Sequence, residues 1–408
     1  MVRSSASSRT DAPGRGSALS GQAVVAGIVA AIVGFTSSFA VVLAGLTGVG
    51  ASASEAASGL LVLSLTMGLG SIVFSWRGRI PVTLAWSTPG AALLAGATVP
   101  DGGYADAVGA FVVAGLLYVA TGLIRPLGDW VAKIPMPLAN AMLAGILLIL
   151  CVDPFLALAD DPAAIAPVLV TWLVLMRVAR RWAVPGALAA AVVVVVVSGS
   201  LSDVRASDLA PQLTWTTPTF DLVTVVAIGL PLYLVTMTSQ NIPGVAVLSS
   251  FGYRAPLQPA LTYSGAATVA TAGLGGYSIN LAAISAALSA GPAAHEDATR
   301  RWVAGTSTGV TYLLLGPLAA LVTTVAAAAP TGVIAAVAGL ALLGTFGAAA
   351  ASALADHRLR EAAALTFVVA ASGLTLGGIG AAFWALVAGG AYLLVMTVRP
   401  IASRHDAS

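Results

Sequence analysis

The chain is predicted to be an all-α polytopic membrane protein. Its fourteen transmembrane segments form a seven-plus-seven inverted repeat in which the third and tenth segments are discontinuous. Three observations predict this. First, 58% of the 408 residues are hydrophobic and only 8% are charged, with mean hydropathy +0.97. Soluble domains carry about 25% charged residues. Here the charges fall in short gaps between apolar runs of about 20 residues, the length that spans a bilayer as a helix. Second, the basic residues sort almost completely to one side when alternate gaps are assigned to opposite faces. Third, two segments at matching places in the two halves are short and interrupted by Gly, Pro and polar residues.

In chain order, residues 1–20 are Ser/Arg/Gly-rich and contain Pro13. They cannot bury a core and read as a disordered cytoplasmic tail. The apolar stretch from Ala23 to Leu46 is too long for the h-region of a signal peptide, so it reads as a retained first span. Hydropathy and Gly/Pro/charge punctuation place the spans at 22–46, 55–75, 81–98, 105–124, 133–152, 163–179 and 183–199. The second half follows at 221–249, 257–274, 276–291, 301–326, 331–353, 361–376 and 379–398, and 399–408 forms a second cytoplasmic tail.

Alternate gaps give one face Arg3, Arg9, Arg15, Arg77, Arg79, Arg125, Lys133, Arg177, Arg180, Arg181, Arg254, Arg300, Arg301, Arg358, Arg360, Arg399 and Arg404. The other face receives only Arg205, together with Glu55, Asp101, Asp106, Asp153, Asp160, Asp161, Asp203, Asp208 and Asp221. The positive-inside rule then puts both termini in the cytoplasm. Seven spans per half invert the second half relative to the first. Inverted repeats with broken helices at corresponding positions point to a secondary transporter with its site at mid-membrane.

The first broken segment runs from Arg79 to Leu94. Pro81–Trp86 is extended in character, Ser87 or Thr88 is a good N-cap, and Pro89 suits the first helical position. A half-helix should therefore begin near the midplane. In the second broken segment Gly273, Gly275 and Gly276 loosen the chain, Ser278 is the expected cap, and Ile279 onward, through Asn280, is expected to be helical. Two half-helix N-termini should then face one another, each with unpaired amides and a partial positive charge. Such a pair binds an anion without any basic side chain. Trp86 and Tyr277, just before the caps, would wall a flat ligand whose carboxylate sits near Ser87–Gly90 and Ser278–Asn280. Close helix packing is the plainer account of these small residues. Their matching placement in both halves favours a binding site.

The eighth span carries Thr238-Ser239-Gln240-Asn241 followed by Pro243. Gln240 and Asn241 are costly in lipid unless satisfied. They serve either an interhelical hydrogen bond or a substrate contact. Phe35, Ser37, Ser38 and Phe39 of the first span lie at comparable depth and are further candidates. Asn140 reads as structural. No metal-ligand spacing, nucleophile–base pair or phosphate loop is present, so no cofactor is expected and an enzymatic role is not supported. The scattered basic residues form no nucleic-acid stripe. Cys151, the single cysteine, excludes an intramolecular disulfide.

Five motifs resemble the benzoate membrane transport (BenE-type) family: Pro81–Leu94, Leu138–Leu147, Leu230–Gly244, Gly339–Leu343 and Ala371–Leu376. The resemblance implies a benzoate:proton symporter of the bacterial inner membrane. More distantly it implies the nucleobase and sulfate transporter superfamily. In that architecture 21–124 and 221–326 form a core domain and 125–199 and 331–398 a gate domain, and spans three and ten each hold a short strand and a half-helix. Nucleobase carriers place acids on spans eight and ten. Here Thr238–Asn241 and Tyr277–Asn280 contain none, which suits an anionic substrate. The expected partners are an aromatic carboxylate, protons and the bilayer, with no nucleic acid. Self-association as a homodimer is left open. The competing readings are a carrier for another anion or a nucleobase, and a receptor or channel.

Overall fold

The computed structural model describes residues 21–124, 126–128, 135–202, 204–205 and 209–397. The expected tails 1–20 and 399–408 lie outside the described residues, as do Arg125, Lys133, Asp203 and Asp208. The chain is a multi-pass helical membrane protein. Among the described residues, eight helical stretches are long and apolar enough to cross a bilayer, including Ala53–Gly78, Met136–Asp160 and Leu222–Ser250.

The first predicted span is two helices, α1 (Gly21–Thr36) and α2 (Phe39–Gly48). The break has a local cause. Thr36, Ser37 and Ser38 donate their hydroxyls back to Ile32 O at 2.6 Å and to Gly34 O at 3.2 and 2.9 Å. Three successive side chains thus compete for the carbonyls of the preceding turn. Helix α3 (Ala53–Gly78) opens on a Ser52/Glu55 capping box and stops at Arg79, the one non-glycine residue with positive φ (52°) among the described residues. The Arg79 guanidinium lies 4.1 Å above the Trp302 ring, which holds this turn.

After Arg79 the chain forms strand β1 (Leu84–Trp86) and helix α4 (Thr88–Ala95). Ser87 caps α4 by accepting the Gly90 amide at 3.0 Å, and Pro89 stands in the first turn. Helix α5 (Tyr104–Leu123) follows, then α6 (Met136–Asp160), α7 (Pro162–Val178) and α8 (Ala183–Val197).

The second half begins with α9 (Leu222–Ser250), which contains two π-helical turns, Val225–Gly229 and Met237–Asn241. Prolines explain both. Pro231 and Pro243 have no N–H to give to Ala227 and Ser239, so the ladder widens at those carbonyls. Helix α10 (Leu257–Thr271) leads to strand β2 (Ile279–Leu281) and the seven-residue α11 (Ile284–Ala290). The remaining helices are α12 (Trp302–Leu315), α13 (Ala319–Ala327), α14 (Val333–Leu354), α15 (Arg360–Ala371) and α16 (Ala381–Thr397).

Strands β1 and β2 pair antiparallel, with Leu84 opposite Leu281, Ala85 opposite Asn280 and Trp86 opposite Ile279. The ladder continues as Ser87 N to Ser278 O at 3.1 Å and Ala282 N to Thr83 O at 3.0 Å. Non-helical backbone inside a membrane protein must be satisfied by protein, and side chains supply partners on both outer edges of this sheet. The Leu84 amide donates to Ser71 Oγ at 2.8 Å, and Ser75 Oγ donates to Val82 O at 2.7 Å. On the other edge the Leu281 amide donates to Asn241 Oδ1 at 3.0 Å. These strands correct the expectation of a helix from Ile279. Ile279 and Asn280 are strand residues, and the helix begins five residues later than expected.

Two helix pairs clamp the sheet through reciprocal glycines. A Cβ on Gly68 of α3 would stand 2.8 Å from Gly309 O of α12, and one on Gly309 would stand 2.5 Å from Gly68 O. Gly115 of α5 and Gly265 of α10 repeat the arrangement, at 3.0 and 2.4 Å. Backbone-to-backbone contact of this kind is how membrane helices associate closely. A second group packs α6 chiefly against α14 and α15. There Asn140 donates to Ser352 at 2.8 Å.

Candidate functional site

Below the strand pair lies a cavity of about 120 Å³. Both halves build it. Ala30, Val33, Gly34, Ser37 and Ser38 come from the α1–α2 break, and Ala85, Trp86, Thr88 and Pro89 from the β1–α4 junction. Gln240 enters from the second π-turn of α9. Ala282, Ala283, Ser285 and Leu288 follow β2, Tyr312 comes from α12, and Ala341 and Thr345 from α14.

The walls are neutral, with no acidic, basic or imidazole side chain among these residues. Trp86 is held by a hydrogen bond from its indole Nε1 to Ser38 Oγ at 2.8 Å and by the Phe35 ring at 5.2 Å. Phe39 stacks on Phe35 from the far side, at 6.1 Å, and does not reach the cavity.

The two helix ends offer different numbers of amides. In α4, Pro89 has no N–H, Gly90 is bonded to Ser87 Oγ, and Ala91 is bonded to Ser87 O at 2.8 Å. Thr88 N–H remains available. At α11 no side chain caps the N-terminus. Its first amides have no intrahelical partner at a point where Ala282, Ala283 and Ser285 line the cavity. Ser278 was the expected cap. Its hydroxyl instead donates to Tyr118 Oη at 3.1 Å, because strand pairing carries the chain past that position before the helix starts.

Of the sequence candidates, Trp86, Thr88, Pro89, Gln240, Ser37 and Ser38 therefore line one cavity. The others support it from behind. Ser87 is fully buried and shares a hydrogen bond with Thr236 at 2.6 Å. Gly90 gives room to Leu232, whose Cδ1 would stand 2.6 Å from a Cβ there. Asn241 covers the sheet edge. Tyr277 is no wall of the cavity. It is fully buried, packs on Phe111 at 6.1 Å and donates its hydroxyl to Ser87 O at 2.7 Å. Asn280 lies in β2, with its Oδ1 buried and unpartnered.

Sequence reasoning missed Tyr312, Ser285 and Thr345. Thr345 is a lone polar group in an apolar stretch, Tyr312 and Ser285 sit among other hydroxyl residues with nothing to single them out, and only packing brings the three together. Gly34 did carry a signal, since it opens the polar cluster that ends at Ser38.

Residues 17–395 match the family described as benzoate membrane transport protein. The chain is 38% identical over 388 residues to inner membrane protein YdcO of Escherichia coli (strain K12), covering 94% of this chain and 97% of that one. It is 29% identical over 374 residues to the benzoate membrane transport protein of Acinetobacter baylyi, covering 90% and 93%. Among solved structures, the transmembrane domain of the cyanobacterial bicarbonate transporter BicA shares the fold, with TM-score 0.58, 17% identity and coverage of 90% and 97%. So does SLC26A9, with TM-score 0.58, 11% identity and coverage of 91% and 65%. The match over nearly the whole chain settles the family: the chain belongs to the benzoate membrane transport protein family, whose members are membrane transporters and not enzymes.

Proposed function

We propose that this protein imports benzoate or a similar aromatic carboxylate across the bacterial inner membrane, with proton symport, by alternating access. The observation that carries the reading is the cavity itself. It combines unpaired helix amides with a flat aromatic wall and holds no fixed carboxylate to repel an anion. The carboxylate would lie against Thr88 N–H and the first turn of α11, with Gln240 donating to it. The ring would lie against Trp86 and Tyr312. Burying a phenyl face of roughly 100–150 Å² contributes about 2.5–4 kcal/mol. The only carboxyl group in the loaded cavity would be the substrate's own.

The moving parts would be a core (α1–α5 and α9–α13) and a gate (α6–α8 and α14–α16). Support for fourteen spans in an inverted repeat comes from the glycine clamps. Exchanging the two halves converts the α3–α12 pair into α10–α5, and both pairs use the same reciprocal glycine contact. The lining residues Ala30, Val33 and Leu288 lie on the side of the α1 start and the α11 end. With both termini cytoplasmic, this state would open inward.

Uptake of labelled benzoate into proteoliposomes with an alkaline lumen tests the function. Saturable accumulation above protein-free liposomes, abolished by a protonophore, is expected. Uptake of uracil or sulfate without benzoate would reject the reading. In the same assay Gln240→Ala is expected to weaken benzoate affinity about tenfold, the range for a hydrogen bond to a charged group. Wild-type affinity would remove Gln240 from the site.

A further inference from the structure

We propose that Arg301 is the fixed cation of the transport cavity, acting across α11 without touching the substrate. This rests on the reading that the cavity takes an anion. By sequence Arg301 was one more cytoplasmic loop charge. The structure instead buries it, at 7% exposure, under the foot of α11. Its Nη1 donates to Ala290 O, the last residue of α11, at 2.9 Å. Nε and Nη2 donate to His295 O at 2.7 Å and Glu296 O at 3.3 Å.

No carboxylate lies within ion-pair distance of Arg301 among the described residues. The one ion pair found there joins Arg300 to Asp297 at 3.7 Å, on the exposed surface. Hydrogen bonds from the Thr299 hydroxyl and amide hold the Asp297 carboxyl below its ordinary range, so it stays committed to that turn. The Arg301 charge is therefore compensated by carbonyl dipoles and by the Tyr253 hydroxyl beside it, all of them neutral groups. It also cancels the negative pole of α11.

Distance and burial decide the effect. Seven helical residues span about 10 Å, and Ser285 and Leu288 of this helix line the cavity. A unit charge about 16 Å from an anion, the helix length plus a hydrogen-bond contact at each end, changes affinity about fivefold at an effective dielectric near 20, but less than about twofold in water. Arg79 is exposed and Arg300 half-buried with its side chain 43% exposed, so both are screened by solvent. Arg301 is the one buried base among the described residues. It acts as a positioning and field-setting residue, not as a ligand contact.

The test is the benzoate dissociation constant of the purified full-length protein in detergent, by calorimetry, for wild type, R301K and R301Q. The ligand-free melting curve of each reports folding. R301K is expected to stay within about twofold of wild type, and R301Q to bind about fivefold more weakly. Equal weakening in both variants would show that only guanidinium geometry matters and would overturn the proposal, as would wild-type affinity in R301Q. If R301Q does not fold, R301K decides alone, because a purely structural guanidinium would not be rescued by lysine. A wild type that binds no benzoate removes the anion reading and this inference together. A wild type that binds, with R301Q unchanged, removes this inference only.

Discussion

Gly34→Ala is expected to weaken benzoate binding by at least about tenfold, and Tyr312→Phe in the same chain to restore most of it. A Cβ on Gly34 would stand 2.7 Å from Tyr312 Oη but 3.8 Å from Cζ. The first distance is a clash and the second an ordinary contact. Tyr312 is 1% exposed, so its ring can yield only toward the cavity. A cavity of about 120 Å³ loses a large share of its room to such a shift. Removing the phenolic oxygen removes the clashing atom. Calorimetric titration of the two single variants and the double variant gives a coupling energy, as contacting residues should. Additive losses would show that the two side chains do not meet in the working protein.

Asn241→Leu should have the largest effect on stability, about 2–3 kcal/mol in equilibrium unfolding from mixed micelles. The Leu281 amide would lose its acceptor in a place water does not reach, and a buried unmatched donor costs about 1–3 kcal/mol. The Asn241 amide also donates to Thr236 O at 3.4 Å, and that bond would go too. Asn140→Ala is the matched control. Its bond to Ser352 is solvent-exposed, so its loss should cost less than about 1 kcal/mol. Equal losses in the two variants would mean that the sheet edge does not depend on Asn241.

The two broken segments differed in how far they could be read. Ser87 and Pro89 act on their own turn, so the start of α4 was legible in the local residues. Ile279–Leu281 is a strand only because β1 lies beside it, and no local pattern announces a partner from the other half of the chain. The same contact displaced Ser278 from its expected capping role and delayed α11. The polar run from Gly34 to Ser38 was visible as polarity. That it would break the helix follows from three hydroxyls bonding backward at once. Thr345 gave no warning, because a lone polar residue in an apolar span is common, and Tyr312 was one of several hydroxyl residues in its helix with nothing to single it out. Arg301 was legible as a charge at a membrane boundary. Its burial depends on the shortness of α11, which leaves three carbonyls within reach below it.

The β1–β2 ladder also has a consequence for biogenesis. Until ribosomal synthesis has passed Leu281, β1 has no strand to pair with, and the amide and carbonyl edge that will meet β2 has no protein partner inside the bilayer. Each unmatched group there costs several kcal/mol. The newly inserted first half should therefore be a kinetically vulnerable species, open to quality-control proteases or dependent on an insertase that shelters it. A chain truncated before Ile279 should be degraded in the cell, even though every one of its long apolar helices is already in the membrane.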